Sequence, residues 1–254
     1  MAPLRKPLQG LWNVVRFNWH FYAIAMVLAG CLAFAWLVAP PVARPYVIVA
    51  LVCLMLPIVA SLAASTYVYD YSNLYRLNWL PSAWPANSKI LTVSAGFDEI
   101  SSALLRKYSP LALLAVDFYD PARHTEVSIK RARRAYAPFP GTQQVDTRGA
   151  LPAPDDSMDL VFAFLSAHEI RDAAERAAFF RELKRVTKPA GSIIVTEHLR
   201  DPANFLAYSV GFMHFHSRRA WHATCRDAGL QVQQEIKITP LVTAFILCKN
   251  GSAA

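Results

Sequence analysis

Proton chemistry near neutral pH falls to two histidines, His168 and His198, because imidazole titrates there. Each has a carboxylate beside it, Glu169 and Glu197, able to orient it or to act as a base itself. His214 and His216 form a second pair inside the aromatic run GFMHFHS, suited to a substrate wall or to a stretch that dips into a membrane. A metal site on those two finds no third ligand nearby in the sequence, so none is expected. Gly96 and Asp117 stand about 20 residues apart, the separation of a close-approach turn and an acid that takes ribose hydroxyls. Phe97, Asp98 and Glu99 fill the turn where a dinucleotide site has further glycines. Two carboxylates repel a pyrophosphate but suit an ammonium. S-adenosylmethionine has a ribose, an amino group, a sulfonium and no phosphate, so it fits this turn better. Ser94, Gly96, Asp98, Asp117 and Phe118 are the candidate contacts around it.

The elements that must position these groups alternate between strand and helix. Ile90 to Ser94, Leu111 to Asp117 and Met158 to Phe164 are apolar runs fit for strands buried on both faces. A helix from about Glu99 to Lys107 lies between the first two, and Pro121 to Tyr136 forms the next. After a short strand, Gln143 to Asp146, and the strand ending at Phe164, apolar residues from Ala174 to Val186 recur at helical spacing. Pro189 and Gly191 stop that helix, and Ser192 to Thr196 is the next strand, which makes a parallel βαβ crossover. Ser217 to Ala228 is a last helix; Leu230 to Ile238 and Val242 to Lys249 close the sheet. This is a doubly wound, Rossmann-like α/β fold, whose ligands sit beyond the carboxyl ends of the strands.

LPAPDDSMDLV, AHEIRD and ELKRVTKPAGSIIVTE, in that order, resemble the class I S-adenosylmethionine-dependent methyltransferases, in particular the small-molecule branch with the ubiquinone and menaquinone C-methyltransferases. YDYSN at Tyr69 to Asn73 is similar to the YDxxN element that those quinone enzymes carry over the cofactor. The resemblance covers roughly Tyr69 to Lys249. It implies that Gly96 lies against the cofactor, Asp117 binds its ribose, Asp146 and Thr147 approach the adenine, and Phe164 and Ser166 line the floor near the methyl group. It also implies that His168, after the fourth strand, faces the substrate. The first motif departs from the family's DxGxGxG: this chain reads TVSAGFD, with Thr92 at the acidic position and only Gly96 kept.

Between Arg16 and Asp70 the only formally charged residue is Arg44. Phe21 to Ala39 and Tyr46 to Tyr67 are each about 20 residues, enough at ~1.5 Å per residue to cross a ~30 Å hydrocarbon core. Pro40, Pro41 and Pro45 break them into a transmembrane helical hairpin. Tyr69 and Tyr75, just past it, are interfacial anchors or substrate and lid contacts. Arg5, Lys6 and Arg16 precede the spans while Arg76 and Lys89 follow, so the positive-inside rule puts both ends in the cytoplasm of a cell (inner) membrane protein. A cleaved signal peptide is the alternative, disfavoured because a second span follows at once.

The chain of 254 residues accordingly divides into a basic N-terminus (1–20), the hairpin (21–68), an interfacial linker or lid (69–88) and the methyltransferase-like domain (89–254). Its net charge of +8 gathers partly in Arg123, His124, Lys130, Arg131, Arg133 and Arg134, which beside an anchor reads as attraction to anionic lipid rather than to nucleic acid. Cys31, Cys53, Cys225 and Cys248 are isolated and suggest neither disulfide nor zinc. The expected activity is methyl transfer to a lipophilic small molecule: a lipid, a quinone or prenylated phenol, or an apolar pigment precursor, met at high effective concentration in the bilayer. Thr92, Ser94 and Asp98 in place of the motif motivate the alternative of a membrane-anchored, non-catalytic scaffold. A Rossmann oxidoreductase is disfavoured by the missing glycines and the acidic turn.

Overall fold

The computed structural model describes residues 5–82, 84–85, 87–108 and 112–249. Three N-terminal helices, α1 (Gln9–Phe17), α2 (Trp19–Val38) and α3 (Arg44–Thr66), lead through a π-helical turn at Tyr67–Tyr71 to the sheet domain. There β1 (Lys89–Ser94), α4 (Ser101–Lys107), β2 (Ala112–Asp117), α5 (Val127–Ala135), β3 (Gln143–Gln144), β4 (Met158–Phe164), α6 (Ala173–Val186) and β5 (Thr187–His198) alternate. Then come α7 (Pro202–Tyr208), α8 (Arg218–Asp227), β6 (Leu230–Thr239) and β7 (Val242–Lys249).

The strands pair in the order β3-β2-β1-β4-β5-β7-β6. All neighbours are parallel up to β5, and β7 runs antiparallel between β5 and β6. Strand order reverses between β1 and β4, which opens a crevice at their carboxyl ends. Period-2 alternation decides the two cores. Leu91, Val93, Val161 and Val195 face Phe179, Phe180 and Leu183 of α6 and Trp221 of α8; Ile90, Leu160, Phe162 and Ile194 face Leu104 of α4 and Leu74 and Leu77 of the linker. Phe179, Phe180 and Leu183 are fully buried, each contributing roughly 1.5–3 kcal/mol.

Element boundaries differ from the sequence reading where side chains intervene. The strand read from Leu111 has its first residue outside the described residues. The first sheet-domain helix begins at Ser101, not Glu99, because Asp98 Oδ1 accepts the N–H groups of Ile100 and Ser101, both at 2.9 Å. The helix read from Pro121 begins only at Val127: Asp120 Oδ1 accepts from Ala122 N–H at 2.8 Å and His124 Nδ1 accepts from Asp120 N–H at 2.9 Å, closing a separate turn. The short strand at Gln143 ends at Gln144, and the strand read from Ser192 starts at Thr187, with an irregular register opposite Met158 and Leu160.

The helix Gln9–Phe17 was not anticipated within the basic N-terminus. α2 and α3 are long and apolar enough to cross a membrane by length and composition, and almost none of either is buried, unlike the core helix of a soluble protein. Pro57 sits inside α3 without ending it.

Candidate active site

The register Ser94↔Asp117 brings the ends of β1 and β2 level, and the turn after β1 closes onto Asp117. Its Oδ1 accepts Gly96 N–H at 2.7 Å and Tyr119 N–H at 2.9 Å, while Oδ2 pairs with Arg133 Nη1 at 2.5 Å. Gly96 has φ +92°, and a Cβ there would meet Ile129, Tyr119 and Arg133 at 3.0–3.1 Å, so only glycine fits beneath α5. Thr92, at the acidic position of the motif, is hydrogen-bonded to Ser101 at 2.6 Å. Ser101 in turn donates to Asp98 at 2.5 Å, so the threonine hydroxyl must donate to Ser101. Asp98 therefore caps α4.

Beyond the carboxyl ends of β1 and β4 lies a chamber of about 230 Å³. Its roof is α1. Asp70, in the π-helical turn, accepts the N–H groups of Gly10 at 2.7 Å and Leu11 at 2.8 Å, satisfying two orphan donors of that helix. Tyr136 donates to Asn13 Oδ1 at 2.8 Å, Arg131 donates to the Phe17 carbonyl at 2.7 Å, and Arg5 lies 3.7 Å over the Tyr75 ring and 3.5 Å from Glu99. Two donors lining the chamber, Asn13 Nδ2 and Arg5 Nε, are buried without a hydrogen-bond partner. Burial raises the Glu99 carboxyl above its ordinary value against the pull of Arg5.

A Cβ on Gly10 would stand 2.3 Å from Tyr69 Cβ, and neither backbone can yield. Gly10→Ala is therefore expected to lift α1 off the chamber at a cost of about 1–3 kcal/mol. Limited proteolysis should show new cleavage within residues 5–17 while the sheet domain melts unchanged; an uncleaved segment would refute the roof.

Two histidines face the chamber. Asn204 spends its amide N–H groups on Asp201 and the Leu241 carbonyl, leaving Oδ1 to accept from His198 Nδ1 at 3.1 Å. His198 Nε2 is then the acceptor, and Tyr69 OH donates to it at 2.9 Å. Burial pushes the His198 imidazole down to about 4, so it is neutral at pH 7. Phe215 stacks on it, centroids 4.8 Å apart. His168 differs. Its Nδ1 stands 2.7 Å from Glu197 and its Nε2 3.3 Å from Glu169. Burial opposes its charge, but the two carboxylates win and raise it to about 10. Leu165, at the β4 end of the chamber, takes φ +48°, backbone strain of the kind stored at functional sites.

The remaining sequence candidates lie as follows. Ser94 Oγ donates to the Val116 carbonyl at 3.3 Å and Ser166 Oγ to the Val93 carbonyl at 3.0 Å, knitting the strand ends together. Phe164 packs on Tyr75, centroids 5.3 Å apart. Phe118 packs on Phe179 in the core, and its neighbour Tyr119 lies at Gly96 instead. Thr147 is buried against Glu175, and Asp146 is exposed, capping Arg148 N–H at 3.0 Å. His214 joins His168 and Glu169, whereas His216 turns to Arg176 at 3.1 Å and Trp221. Arg123, Arg131 and Arg133 of the basic cluster are engaged in internal contacts with Glu175, the Phe17 carbonyl and Asp117.

Sequence reasoning missed Arg5, Asn13, Tyr119, Arg133, Asn204 and Phe215. Asp117, Phe118 and Tyr119 alternate faces, so Tyr119 was legible from strand periodicity; the others depend on contacts between distant segments.

Residues 91–195 match a family model described as a methyltransferase domain. The malonyl-[acyl-carrier protein] O-methyltransferase of Halorhodospira halophila is 35% identical over 106 residues, 42% of this chain and 33% of that protein, so the chain spans about a third of that relative. Among solved structures, a S-adenosylmethionine-dependent methyltransferase from Clostridium acetobutylicum aligns with TM-score 0.50 and 11% identity over 74% of this chain and 98% of that one, which shows the fold. One from Aquifex aeolicus aligns with TM-score 0.49 and 16% identity over 75% and 97%. Residues 91–195 thus resemble a methyltransferase domain, and the sheet shares the fold of the Clostridium acetobutylicum enzyme.

Proposed function

We propose that this chain is a membrane-anchored S-adenosylmethionine-dependent methyltransferase whose acceptor is a lipophilic small molecule. The observation that carries this reading is the position of Tyr69. It lies in the π-helical turn that ends the second candidate span, and its hydroxyl reaches His198 in the chamber. The anchor and the tyrosine of the acid–base pair are thereby one continuous piece of chain. Phe205, Leu206, Val210 and Met213, exposed on the segment that packs α7 against α3, extend the apolar surface from the spans to the chamber rim. The basic flanks of the hairpin favour the cytoplasmic side for the domain.

The donor set suits the cofactor. Unpaired Asn13 Nδ2 and Arg5 Nε are ready for a carboxylate, Glu99 for an ammonium, and Asp117 for ribose hydroxyls; an amino-acid tail on a nucleoside presents all of these. Arg133, whose side chain is 34% exposed, would exchange with the ribose at Asp117 Oδ2. When bound, S-adenosylmethionine supplies an electrophilic methyl on sulfur. The chain's own work is to hold the acceptor in line, at about 3–3.5 Å, and to exclude water under α1. His198 Nε2 takes the acceptor's proton, directly or through Tyr69. His168 has both nitrogens held by carboxylates and is not free to act as that base.

Incubating the detergent-solubilised chain with membrane extract and methyl-labelled cofactor tests the reading, with the label expected in the organic phase. Label confined to an acyl-carrier protein would overturn the lipophilic acceptor in favour of a carrier-bound carboxylate, the substrate class in the relative's name. The Asp117–Arg133 pair also motivates a second reading, a scaffold in which Arg133 permanently occupies the ribose position. It predicts no binding of S-adenosylhomocysteine.

A further inference from the structure

His168 and Glu169 lie on the 3₁₀ turn Ala167–Glu169 that follows β4, and His214 ends a second 3₁₀ turn, Ser209–His214. The fold sets aside His216, the partner that sequence spacing offered to His214, and supplies two others. Glu169 Oε1 stands 3.3 Å from His168 Nε2 and 3.3 Å from His214 Nε2. The three ligand atoms all lie within 4.8 Å of one another.

The opposite nitrogens explain how the two rings are oriented. His168 Nδ1 is 2.7 Å from Glu197 Oε2, and Glu197 Oε1 also accepts His168 N–H at 3.1 Å; the Glu197 side chain is 0% exposed. His214 Nδ1 is 2.9 Å from Glu126. A carboxylate on Nδ1 holds a proton there, so each ring turns its Nε2 toward Glu169. The two Nε2 atoms and the carboxylate oxygen thus converge on one point.

We propose that His168 Nε2, Glu169 Oε1 and His214 Nε2 bind one divalent transition-metal ion of the zinc type, with Glu197 and Glu126 orienting the two histidines. Around a tetrahedral ion with bonds of about 2.0–2.2 Å, neighbouring donors stand about 3.3–3.5 Å apart, which matches both measured edges. Two imidazoles and one carboxylate form the ligand set of open, three-residue metal sites that leave a position for water or substrate, and nitrogen-rich sets of this kind select transition ions over magnesium or calcium. Three carboxylates, Glu126, Glu169 and Glu197, gather on the two histidines, with Arg171 3.8 Å from Glu126. Arg171 lies against His214, its Nη2 2.7 Å from Nε2. It must withdraw when the ion binds, and a side chain that is 43% exposed has solvent to move into. Since His168 also lines the chamber, the ion stands in the chamber wall, where it can hold an oxygen of the acceptor.

The probe is Co²⁺, titrated into the chelator-stripped, detergent-purified full chain and read by equilibrium dialysis and visible absorption. One equivalent is expected, with the intense bands of low-coordinate cobalt. His214→Ala, at a half-buried position, should lose that ion, and Glu197→Gln should weaken it roughly 10–100-fold while circular dichroism stays native. A natively folded wild-type chain that retains no equivalent of Co²⁺, or His214→Ala that binds as tightly as wild type, overturns the site. Metal binding is read directly, so the outcome stands apart from whether methyl transfer occurs.

Discussion

Asp117→Asn is expected to weaken S-adenosylhomocysteine binding by roughly 10²–10⁴-fold, measured by calorimetric titration of the detergent-purified chain. The carboxylate is 3% exposed and organises three groups at once: the Gly96 and Tyr119 N–H groups on Oδ1 and the Arg133 guanidinium on Oδ2. A ribose that displaces Arg133 gains two hydrogen bonds to a charged acceptor, each about 1.5–3 kcal/mol, and a neutral amide with only one acceptor oxygen cannot supply both. Asparagine keeps the shape and an oxygen for the Gly96 N–H, so the fold should persist. Asp117→Ala removes that acceptor too and is the poorer variant, because it strands two backbone donors and Arg133. A folded Asp117→Asn chain that binds within a few-fold of wild type would remove Asp117 from the cofactor site, whereas a folded wild type that does not bind at all would leave the scaffold reading standing.

The alternation of strands and helices was legible because a parallel strand buried on both faces must be an apolar run, as Met158 to Phe164 is, and the intervening helix must show one apolar stripe. The pairing of Gly96 with Asp117 was legible for a related reason: the β1–β2 register fixes how far apart in sequence two residues at adjacent strand ends can be. The roof was not. α1 exists where it does because Asp70, some 60 residues away, takes its first N–H groups, and no local pattern records that bond. Asp98 shows the opposite failure. Its type suited an ammonium, but an aspartate two and three residues ahead of free helix N–H groups is first of all a cap. The histidines divide in the same way. Their places at strand ends were readable, while the difference between neutral His198 and charged His168 depends on Asn204 and Glu197, partners that only the folded sheet brings alongside.

That difference sets the largest effect on turnover. His198→Ala should lower kcat by roughly 10²–10⁴-fold, the usual contribution of a positioned base, with the cofactor KM nearly unchanged because Asp117, Glu99 and Asn13 remain. Tyr69→Phe should fall in the same direction by less, since it removes the donor to Nε2 and leaves the base in place. The pH dependence carries an independent signature. Burial pushes His198 down to about 4 from an ordinary 6.5, so the imidazole stays unprotonated through the mildly acidic range and the acidic limb of kcat/KM should lie near 4. Stability, unlike activity, changes across the range from 6.5 to 4. Between 4 and 6.5 the unfolded chain binds a proton that folded His198 refuses, so unfolding becomes easier as pH falls from 6.5 toward 4 and is unaffected by this group above 6.5. His216, pushed down to about 4 by burial and by Arg176, adds a contribution of the same sign. Urea melts of wild type and His198→Ala at pH 7 and pH 5 isolate the His198 part, because the variant loses that contribution and keeps those of His216 and His168. An acidic limb of kcat/KM at 6.5 instead would mean that the base is an ordinary solvated histidine, and would remove His198 from the reaction.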